Sequence, residues 1–487
     1  MVKESASKDV DMADETLAAQ PSQQKKVNKT FASELDKCLD LIHKGVSLSE
    51  MSYIMRALKE FTFLRKTFSS DNTTKTLSLF LSSEQASDSK WKYPISLAIN
   101  SLEGNSTASN EDTKLQPPHP ESVAFVLSLV LAHLLDTEDY KNGNSLSDSL
   151  IPILPNFYQS TSDPIFALIY SFHSRFYELQ NKLQDVRPML IPALQTALLN
   201  KTTETLAVLI NLLLRNYIHY KLYDQAAKLA AKISFPETAS NNQIARYFYY
   251  MGNLEAIELN YSLSHQHLQD AARKVPINAA TVGFQQHVHK LLVIVALLMG
   301  EIPERSLFKN PFLKKSLAPF FELVLAVRTG ELATFQQVVT KHKKKLIKNN
   351  LMTLVLRLRH NVIKAGIRSI CTSYKRISLR DICIKLHLDS EEDAEYIISK
   401  AIKDGVVDAV IDHENGFVQT NEIVDAYSTT RPQDMFNQRI DFCLSLYNST
   451  VKAMRFPPTL KENSSGLTAS LDELDLEDQI LLCIMSI

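Results

Sequence analysis

The sequence predicts a mainly α-helical protein, in which stacked helical hairpins lead into a small helix-and-hairpin module and then into C-terminal helices. Glycine makes up 11 of the 487 residues, about 2% against a usual ~7%, so tight turns and phosphate-binding loops should be few. Apolar residues recur every three or four positions through most of the stretch from Glu121 to Lys348, which indicates amphipathic helices. Near residue 415 an Asn-Gly pair lies between two β-prone runs, which indicates a β-hairpin.

The length and composition limit the number of domains and the possible classes of protein. At roughly 100–200 residues per domain, the chain should hold two to four structural units. Hydrophobic residues are 45% and charged residues 22% of the chain, which is typical of a globular protein. The formal net charge of −1 gives no general attraction to nucleic acid or to an anionic membrane.

The first half of the chain is predicted to be a helical repeat region with polar interruptions. Residues 1–30 are polar and lack hydrophobic periodicity, so we expect a disordered N-terminal tail. The repeat region is expected over 31–240, with one loop near 100–120 that ends in a proline cluster and a shorter one at 141–149. The N-terminus lacks the apolar stretch of a secretory signal.

We expect an intracellular protein with no membrane segment. The most apolar runs, Val123–Leu135 and Leu291–Met299, are much shorter than the ~20 residues that a bilayer span needs. The five cysteines are widely spaced and form no C-x-x-C motif, which favours free thiols over disulfides or a zinc site. They are Cys38, Cys371, Cys383, Cys443 and Cys483.

The predicted helices follow the spacing of a tetratricopeptide repeat, in which helices pair. Gly252, Tyr261, Ala271 and Pro276 have the relative offsets of that repeat, and Ser264 occupies a position where the repeat prefers alanine. Weaker matches to the same spacing are Tyr223 with Ala226 and the stretch Gly330–Phe335. Together they favour a right-handed superhelical stack of tetratricopeptide-like helical hairpins.

After about residue 350 the pattern changes to three helices. The first has one apolar face, formed by Ile363, Ile367, Ile370 and Tyr374. Ser378 and Asp381 have the spacing of a capping box, which predicts that a short helix begins there. Ser390, followed by three acidic residues, predicts the start of the next helix, and Gly405 its end.

The hydrophobic period then falls to two, which indicates strands. The β-prone residues are Val406, Val407, Val410 and Ile411 before the turn, and Phe417 and Val418 after it. Between them, Asn415-Gly416 favours a tight turn in which both residues have positive φ. Three helices and a hairpin predict a winged helix at about 351–420, within a domain over 241–428 whose helical repeats run to about 350.

C-terminal helices are expected over 429–487. The longest is predicted from about Gln433 to Met454, with an apolar stripe of Phe436, Ile440, Cys443, Tyr447, Val451 and Met454. A weaker stripe follows at Leu467, Leu471, Leu474, Leu481 and Met485. The chain ends in ILLCIMSI after the acidic stretch LDELDLEDQ.

A winged helix is often a DNA reader, but the charge of this one argues against that function. Residues 378–420 contain ten acidic and four basic residues, a net charge of −6. The candidate recognition helix, 390–404, has five acids and two lysines. Phosphate would be repelled, so we expect no nucleic-acid partner for this element.

Directly upstream the charge is reversed. No acidic residue occurs over 332–380, which contains twelve lysines and arginines. Three interpretations remain open: a solvated helix face with ion pairs inside the domain, a docking surface for an acidic partner, or RNA binding. No aromatic residues interleave the lysine run, so RNA binding has the least support.

The sequence predicts no catalytic, cofactor-binding or metal-binding residues. The pairs His265/His267 and His287/His289 could begin the zinc pattern H-x-H-x7-S-x-x-D, but the Ser and Asp are missing. Those positions hold Val275 and Asn278 after the first pair, and Leu297 and Gly300 after the second. Nucleotide-binding, hydrolase and H-E-x-x-H metalloprotease motifs are also missing.

Helical repeats that end in an acidic winged helix resemble the PCI-domain family, the scaffold subunits of the proteasome lid, the signalosome and a translation initiation complex. The resemblance is strongest over 316–458, in RLRHNVIKAGIRSI, in the winged-helix stretch YKRISLRDICIKLHLDSEEDAEYIISKAIKDGVVDAVIDHENGFVQT and in VKAMRFPP. It continues upstream through ARYFYYMGNLEAIELNYS and becomes loose before about residue 200.

This resemblance implies a non-enzymatic scaffold in a hetero-oligomer, without cofactors. Among the family, the lid subunits match best, which implies a role in lid assembly and ubiquitin-dependent protein degradation, in cytoplasm and nucleus. The implied partners are other PCI subunits of the proteasome lid, bound through the winged helix and a C-terminal helix bundle. A small acidic lid subunit is a further candidate partner. The alternative is a scaffold of a signalosome-like or initiation-like complex.

Overall fold

The computed structural model describes most of the chain between residues 31 and 455. The described residues are 31–68, 70–82, 89–102, 119–157, 161–275, 281–386, 388, 390–421, 427 and 429–455. The predicted tail 1–30, residues 103–118 of the predicted loop, Pro276 and the apolar stripe after residue 456 lie outside them.

Helices dominate the described residues, as the sequence predicts. In the N-terminal part they are α1 Phe31–Leu48, α2 Met51–Lys66, α3 Ser70–Ser82, α4 Ser89–Leu102, α5 Pro120–Asp136, α6 Tyr140–Leu150, α7 Asp163–Leu179, α8 Leu183–Asn200, α9 Thr203–His219 and α10 Tyr223–Lys232. A short 3₁₀ helix, Leu154–Phe157, follows α6.

The C-terminal part adds further helices and a small sheet. The helices are α11 Asn241–Ile257, α12 Tyr261–Lys274, α13 Val282–Met299, α14 Arg305–Lys309, α15 Pro311–Thr329, α16 Leu332–Lys348, α17 Met352–Ser373, α18 Leu379–Leu386, α19 Glu391–Lys403 and α20 Arg431–Arg455. The strands are β1 Arg376–Ser378, β2 Ala409–Asp412 and β3 Phe417–Thr420.

The N-terminal core is built around α5, which is buried on nearly every side. This explains the apolar run Val123–Leu135, because a helix surrounded by other helices needs apolar residues all round. Phe61 of α2 packs edge-on against Phe125 of α5 and stacks against Phe172 of α7, with ring centroids 5.8 and 6.3 Å apart. These aromatic contacts tie three helices into one core.

The segment 141–149 is helix α6 rather than the predicted loop. Its composition is polar, but Leu146 and Leu150 are buried on one face, one turn apart. Gly143 lies on the same face directly against the ring of Phe176, where a Cβ would collide with the ring. The apolar stripe of this helix is therefore narrow, and the Gly, Asn and Ser around it obscured the helical period.

The tetratricopeptide-like spacing corresponds to the hairpin of α11 and α12. A Cβ on Gly252 would come within 2.8 Å of Cγ of Leu268, so glycine allows the two helices to approach closely. Ser264 donates a hydrogen bond of 2.6 Å from Oγ to the carbonyl oxygen of Gly252. The residue that departs from the repeat pattern thus adds a direct link between the paired helices.

A second core joins the end of α11 and the helices that follow it, up to α19, to the sheet, and α13 contributes six of its buried residues. Among the described residues, α13 is the one helix whose length and composition would allow it to cross a membrane. Its Val288, Leu291 and Ile294 are buried in this core. Packing against α12, α15 and α17 accounts for its apolar sequence.

The predicted winged helix is present, and its two predicted helix starts are confirmed. Oγ of Ser378 accepts a hydrogen bond from the backbone N–H of Asp381 and donates one to its carboxylate, and Ser390 accepts a hydrogen bond from the backbone N–H of Asp393. The sheet has the order β1-β3-β2 and is antiparallel, with Ile377 and Ile411 both opposite Val418. The three-residue strand β1 was not predicted.

The hairpin turn differs from the predicted tight turn. Asp412 pairs with Phe417, so the loop has four residues, and of the Asn-Gly pair only Gly416 has a positive φ, of 64°. The carboxylate of Asp412 accepts hydrogen bonds from the backbone N–H and the side-chain amide of Asn415. This local bonding stabilises a longer loop in which Asn415 keeps a negative φ.

Candidate protein-interaction surfaces

Helix α20 is the most exposed apolar element of the described chain. It spans 25 residues, and the predicted stripe lies on it, with Phe436 63%, Ile440 53%, Tyr447 64% and Met454 80% exposed. Phe442, Leu444 and Leu446 are also about half exposed. An apolar surface of this extent on one helix is typical of an interaction site.

Two polar contacts hold α20 beside the helical stack. The guanidinium of Arg273 on α12 lies 4.9 Å from the ring centroid of Phe442. Nζ of Lys452 forms an ion pair of 2.7 Å with the carboxylate of Glu237, which precedes α11. Both partners of this ion pair are largely exposed, and exposed pairs of this kind contribute ~0–1 kcal/mol, so α20 is only weakly held.

The winged helix presents an acidic surface. Glu391, Glu392 and Asp393 are exposed in the first turn of α19. There they interact favourably with the positive end of the helix dipole, so their positions also serve the fold. On the same helix Tyr396 is 74% exposed. This helix would repel a phosphate backbone and offers instead an aromatic ring within an acidic rim.

The sheet of the winged helix offers a strand edge. The order β1-β3-β2 places β2 at one edge of the sheet, and Val410 at its centre is 60% exposed. Edge strands present backbone groups to which a strand of another chain can pair. This edge is therefore a second candidate docking surface.

Part of the basic stretch is engaged in ion pairs within the chain. Lys341 forms an ion pair of 2.9 Å with Glu322, and hydrogen bonds from Lys341 and His342 lower the pKa of that carboxyl. Lys364 on α17 pairs with Asp404 at 2.6 Å and thereby links the basic helix to the end of α19.

Three lysines near the C-terminal end of α16 remain available for a partner. Lys343, Lys344 and Lys345 are all exposed in the structure. The interpretation as ion pairs inside the domain therefore applies to Lys341 and Lys364, while a docking surface is still a valid interpretation for 343–345.

The histidine pairs do not converge on a metal site in the structure. His267 lies 3.3 Å from Glu255 and stacks on Phe248, whereas the ring of His265 contacts Gln269. Burial lowers the pKa of both His287 and His289 on α13. Within the described residues, no group of three His, Cys, Asp or Glu side chains is placed to hold a metal ion.

One cluster of potentially reactive groups was not predicted from the sequence. Nδ1 of His173 lies 3.0 Å from Oγ of Ser147 and 3.6 Å from the carboxylate of Asp148. In a catalytic triad the serine and the acid contact opposite ring nitrogens, but here both face Nδ1. The side chain of His173 is fully buried, so the cluster has a structural role. The Ser and His lie 26 positions apart, and no local motif signals such a pair.

Comparisons with known protein families agree with the helical repeats and the winged helix of the structure. The family model described as "PSMD3-like, N-terminal TPR repeats" matches residues 27–324, and the PCI domain model matches 339–422. A third model, which describes the C-terminal region of a proteasome regulatory subunit, matches residues 425–481. The chain is thus a PCI-domain protein whose domain follows tetratricopeptide-like repeats, which confirms the predicted mainly α-helical class and the predicted order of repeats and winged helix.

Similar curated proteins show which family of PCI-domain proteins the chain belongs to. The chain is 42% identical to the probable 26S proteasome non-ATPase regulatory subunit 3 of Anopheles stephensi, over 90% of this chain and 87% of the relative. It is 41% identical to the Drosophila melanogaster protein of the same name, over 97% and 94%, and 41% identical to subunit 3 of Dictyostelium discoideum, over 89% and 87%. The chain belongs to the family of 26S proteasome non-ATPase regulatory subunit 3.

Membership of this family confirms the resemblance to the PCI subunits of the proteasome lid. It therefore favours the lid over the signalosome-like and initiation-like alternatives. The C-terminal family model ends at residue 481, so most of the apolar end ILLCIMSI follows the matched region.

Proposed function

We propose that this chain is a non-catalytic scaffold subunit of the lid of the 26S proteasome regulatory particle, and that it acts in lid assembly and so in ubiquitin-dependent protein degradation. Family membership over nearly the whole chain supports the assignment. The structural observation that carries it is α20, a 25-residue helix whose apolar stripe is exposed among the described residues, as is typical of an interaction site.

The proposed partners follow from the chemistry of the surfaces. Helix α20 and the residues after it would enter a helix bundle with other lid subunits, because apolar stripes of this period pack against helices. The edge strand β2 would pair with the winged helix of a neighbouring PCI subunit. The exposed lysines 343–345 would suit an acidic partner, such as a small acidic lid subunit. As a proteasome component, the chain would work in cytoplasm and nucleus.

The proposal gives the chain no chemical step. Its relatives are named as non-ATPase subunits. Ser147 and His173 are buried, and both Ser147 and Asp148 face Nδ1 of His173, which is the wrong geometry for nucleophilic catalysis. The chain would contribute binding surfaces, and the chemistry would belong to other subunits.

Charge introduced into the α20 stripe tests the proposal. A tagged chain carrying Ile440→Asp and Tyr447→Asp should be recovered with other lid subunits at least ten-fold less well than the wild type, as measured by affinity purification and native gels. The matched control is Ser445→Asp, because Ser445 lies on the opposite side of the same helix. Both altered side chains are at least half exposed, so the free chain should keep its circular dichroism and melting temperature. Normal recovery of companions by the double variant would refute the proposal.

A further inference from the structure

Two adjoining cavities lie in a groove between helices of the N-terminal stack. The first, of about 70 Å³, is lined by residues of α2, α7, α9 and α11. The second, of about 50 Å³, continues along α7, α9 and α11. Both are lined by Ser171, Val208 and Gln243, so they form one continuous feature, which we call the α7–α9–α11 groove.

One end of the groove is apolar. Its lining includes Leu58, Phe61, Pro164, Ala167, Leu168 and Val208. A single water needs ~15 Å³ of such space, so this end has room for several non-hydrogen atoms, about the size of one leucine side chain. The acid at this end, Glu204, accepts hydrogen bonds from the backbone N–H and the hydroxyl of Ser240.

The other end of the groove is cationic. Arg175 and Arg215 both pair with the carboxylate of Glu178, at 2.9 and 2.6 Å. Arg246 lines the same end and has no carboxylate partner among the described residues. Burial and the neighbouring guanidinium of Arg215 lower the pKa of Arg246. Three guanidinium groups therefore line this end beside a single carboxylate, that of Glu178, and an anionic ligand would balance the excess positive charge.

The groove also contains an unused hydrogen-bond acceptor. Asn211 is 4% exposed, and its Nδ2 donates to the carbonyl oxygen of Gln243 at 2.9 Å. Its Oδ1 is buried and has no hydrogen-bond partner among the described residues. A buried amide oxygen that accepts no hydrogen bond is costly, and a backbone N–H of an extended peptide in the groove would satisfy it.

The end of the described chain lies beside this groove. Lys452, near the end of α20, pairs with Glu237, three residues before Ser240, which lines the groove. The acidic-apolar segment Leu471–Asp478, of sequence LDELDLED, begins 16 residues after Arg455. At ~3.3 Å per residue, the intervening chain can reach ~50 Å, more than enough to enter the groove.

We propose that Leu471–Asp478 of the same chain docks in the α7–α9–α11 groove, with a leucine in the apolar end and its carboxylates on Arg246 and Arg215. The segment matches the groove in both respects, because it alternates leucines with five acids and the groove combines an apolar end with excess guanidinium. Entry of α20 and the residues after it into a helix bundle would require the segment to leave the groove. This inference goes beyond the proposed function and does not depend on it.

Zero-length cross-linking of the full-length chain tests the docking. Arg246→Lys keeps the positive charge and supplies an amine, which a carbodiimide joins to a carboxylate as an amide while the reagent takes up the water. The expected result, by mass spectrometry of the monomer band, is a link from position 246 to a carboxylate within 472–478. The matched control is Arg368→Lys on the exposed face of α17, in which links from position 368 to 472–478 should be at least ten-fold less abundant.

A second variant leaves the folded core untouched. Replacing the five acids of 472–478 by their amides should increase hydrogen exchange several-fold in the groove-lining parts of α7, α9 and α11. Glu462→Gln, which removes an acid outside the segment, should leave that exchange unchanged. Unchanged exchange in the five-fold amide variant, no excess of links over the Arg368→Lys control, or links found only between two chains would each overturn the proposal. All measurements use the isolated chain, so failure here is distinguishable from failure of the lid assignment.

Discussion

Gly330 and Gly366 touch backbone to backbone where the turn between α15 and α16 crosses α17. A Cβ added to Gly330 would lie 2.5 Å from both Cα and N of Gly366, and a Cβ on Gly366 would lie 2.7 Å from the carbonyl oxygen of Gly330. Gly330 also has a φ of 75°. Since α17 leads directly into β1 and α18, this crossing fixes how the winged helix joins the helical stack.

Alanine at either glycine should destabilise the chain. Gly330→Ala combines a positive φ, which costs ~1–2 kcal/mol, with a backbone collision of ~1–3 kcal/mol. Gly366→Ala should cost ~1–3 kcal/mol by collision alone. The measurement is the free energy of unfolding in urea.

Two other glycines separate these contributions. Gly405 has a φ of 68° with nothing within 4 Å of its Cβ position, and Gly283 is helical with equally open space. Gly405→Ala should therefore show the cost of φ alone, while Gly283→Ala should be neutral or stabilising. Equal effects of Gly330→Ala and Gly405→Ala would show that the crossing tolerates a methyl group.

Asp163 of α7 should be essential to the start of α9. Its carboxylate accepts hydrogen bonds of 2.9 Å from the backbone N–H groups of Glu204 and Thr205, and it also bonds to the hydroxyl of Thr205. The cap of α9 thus comes from another helix, since Thr202 at its N-cap makes no side-chain cap bond. Asp163→Ala leaves buried N–H groups unpaired and should cost ~3 kcal/mol in urea unfolding.

A matched aspartate provides the control for this capping prediction. Asp139 accepts a solvent-exposed hydrogen bond from the side chain of Asn142, so Asp139→Ala should cost less than ~1 kcal/mol. A small effect at both positions would contradict the capping role of Asp163.

Acid should destabilise the chain through His173. Burial lowers the pKa of His173 to about 4 in the folded protein, against ~6.5 in the unfolded chain. Between these values the unfolded state binds more protons, so this contribution to stability is complete above pH ~6.5 and is lost as the pH falls to ~4. The shift corresponds to ~3 kcal/mol.

The variant His173→Gln removes this titration. Its free energy of unfolding should fall less steeply between pH 6.5 and 4 than that of the wild type, whatever its stability at pH 7. His219→Gln, at an exposed position at the end of α9, should retain the wild-type slope. An unchanged slope in His173→Gln would mean that other groups dominate the acid sensitivity.

Local sequence signals predicted the elements whose stabilising contacts are local. The capping residues Ser378 and Ser390 bond within three residues, so their types and spacing were sufficient to place α18 and α19. Gly252 was informative for a similar reason, because the hairpin of α11 and α12 repeats a known spacing.

Elements stabilised by distant contacts were harder to predict. Helix α6 depends on the contact between Gly143 and Phe176, which lie 33 positions apart in the sequence. Strand β1 depends on its pairing with β3, about 40 residues later. The α7–α9–α11 groove brings Arg175, Arg215 and Arg246 together from three helices. Their spacing of 40 and 31 residues carries no motif, so only the fold reveals the cationic end.

The exposed edge strand β2 of the winged-helix sheet leads to a prediction about assembly. Val410 is 60% exposed at the centre of β2, and lysine on an edge strand opposes pairing with another strand. Val410→Lys should lower recovery with other lid subunits about ten-fold in affinity purification, without changing the melting temperature of the free chain. His413→Lys, in the adjoining loop, adds the same side chain beyond the strand and should have little effect; equal recovery of both variants would argue against strand pairing.

Charge reversal at lysines 343–345 distinguishes the two remaining interpretations of the basic stretch, a docking surface and a solvated helix face. Lys341 already pairs with Glu322, whereas Lys343, Lys344 and Lys345 are exposed on α16. If they bind an acidic partner, reversing all three to glutamate should lower recovery of lid subunits at least ten-fold at low salt. The difference should shrink at 0.5 M salt, because screening shortens the range of exposed charges to a few ångströms. The matched control reverses the exposed Lys314 and Lys315 on α15. Unchanged lid stoichiometry in a native gel would instead identify 343–345 as a solvated helix face.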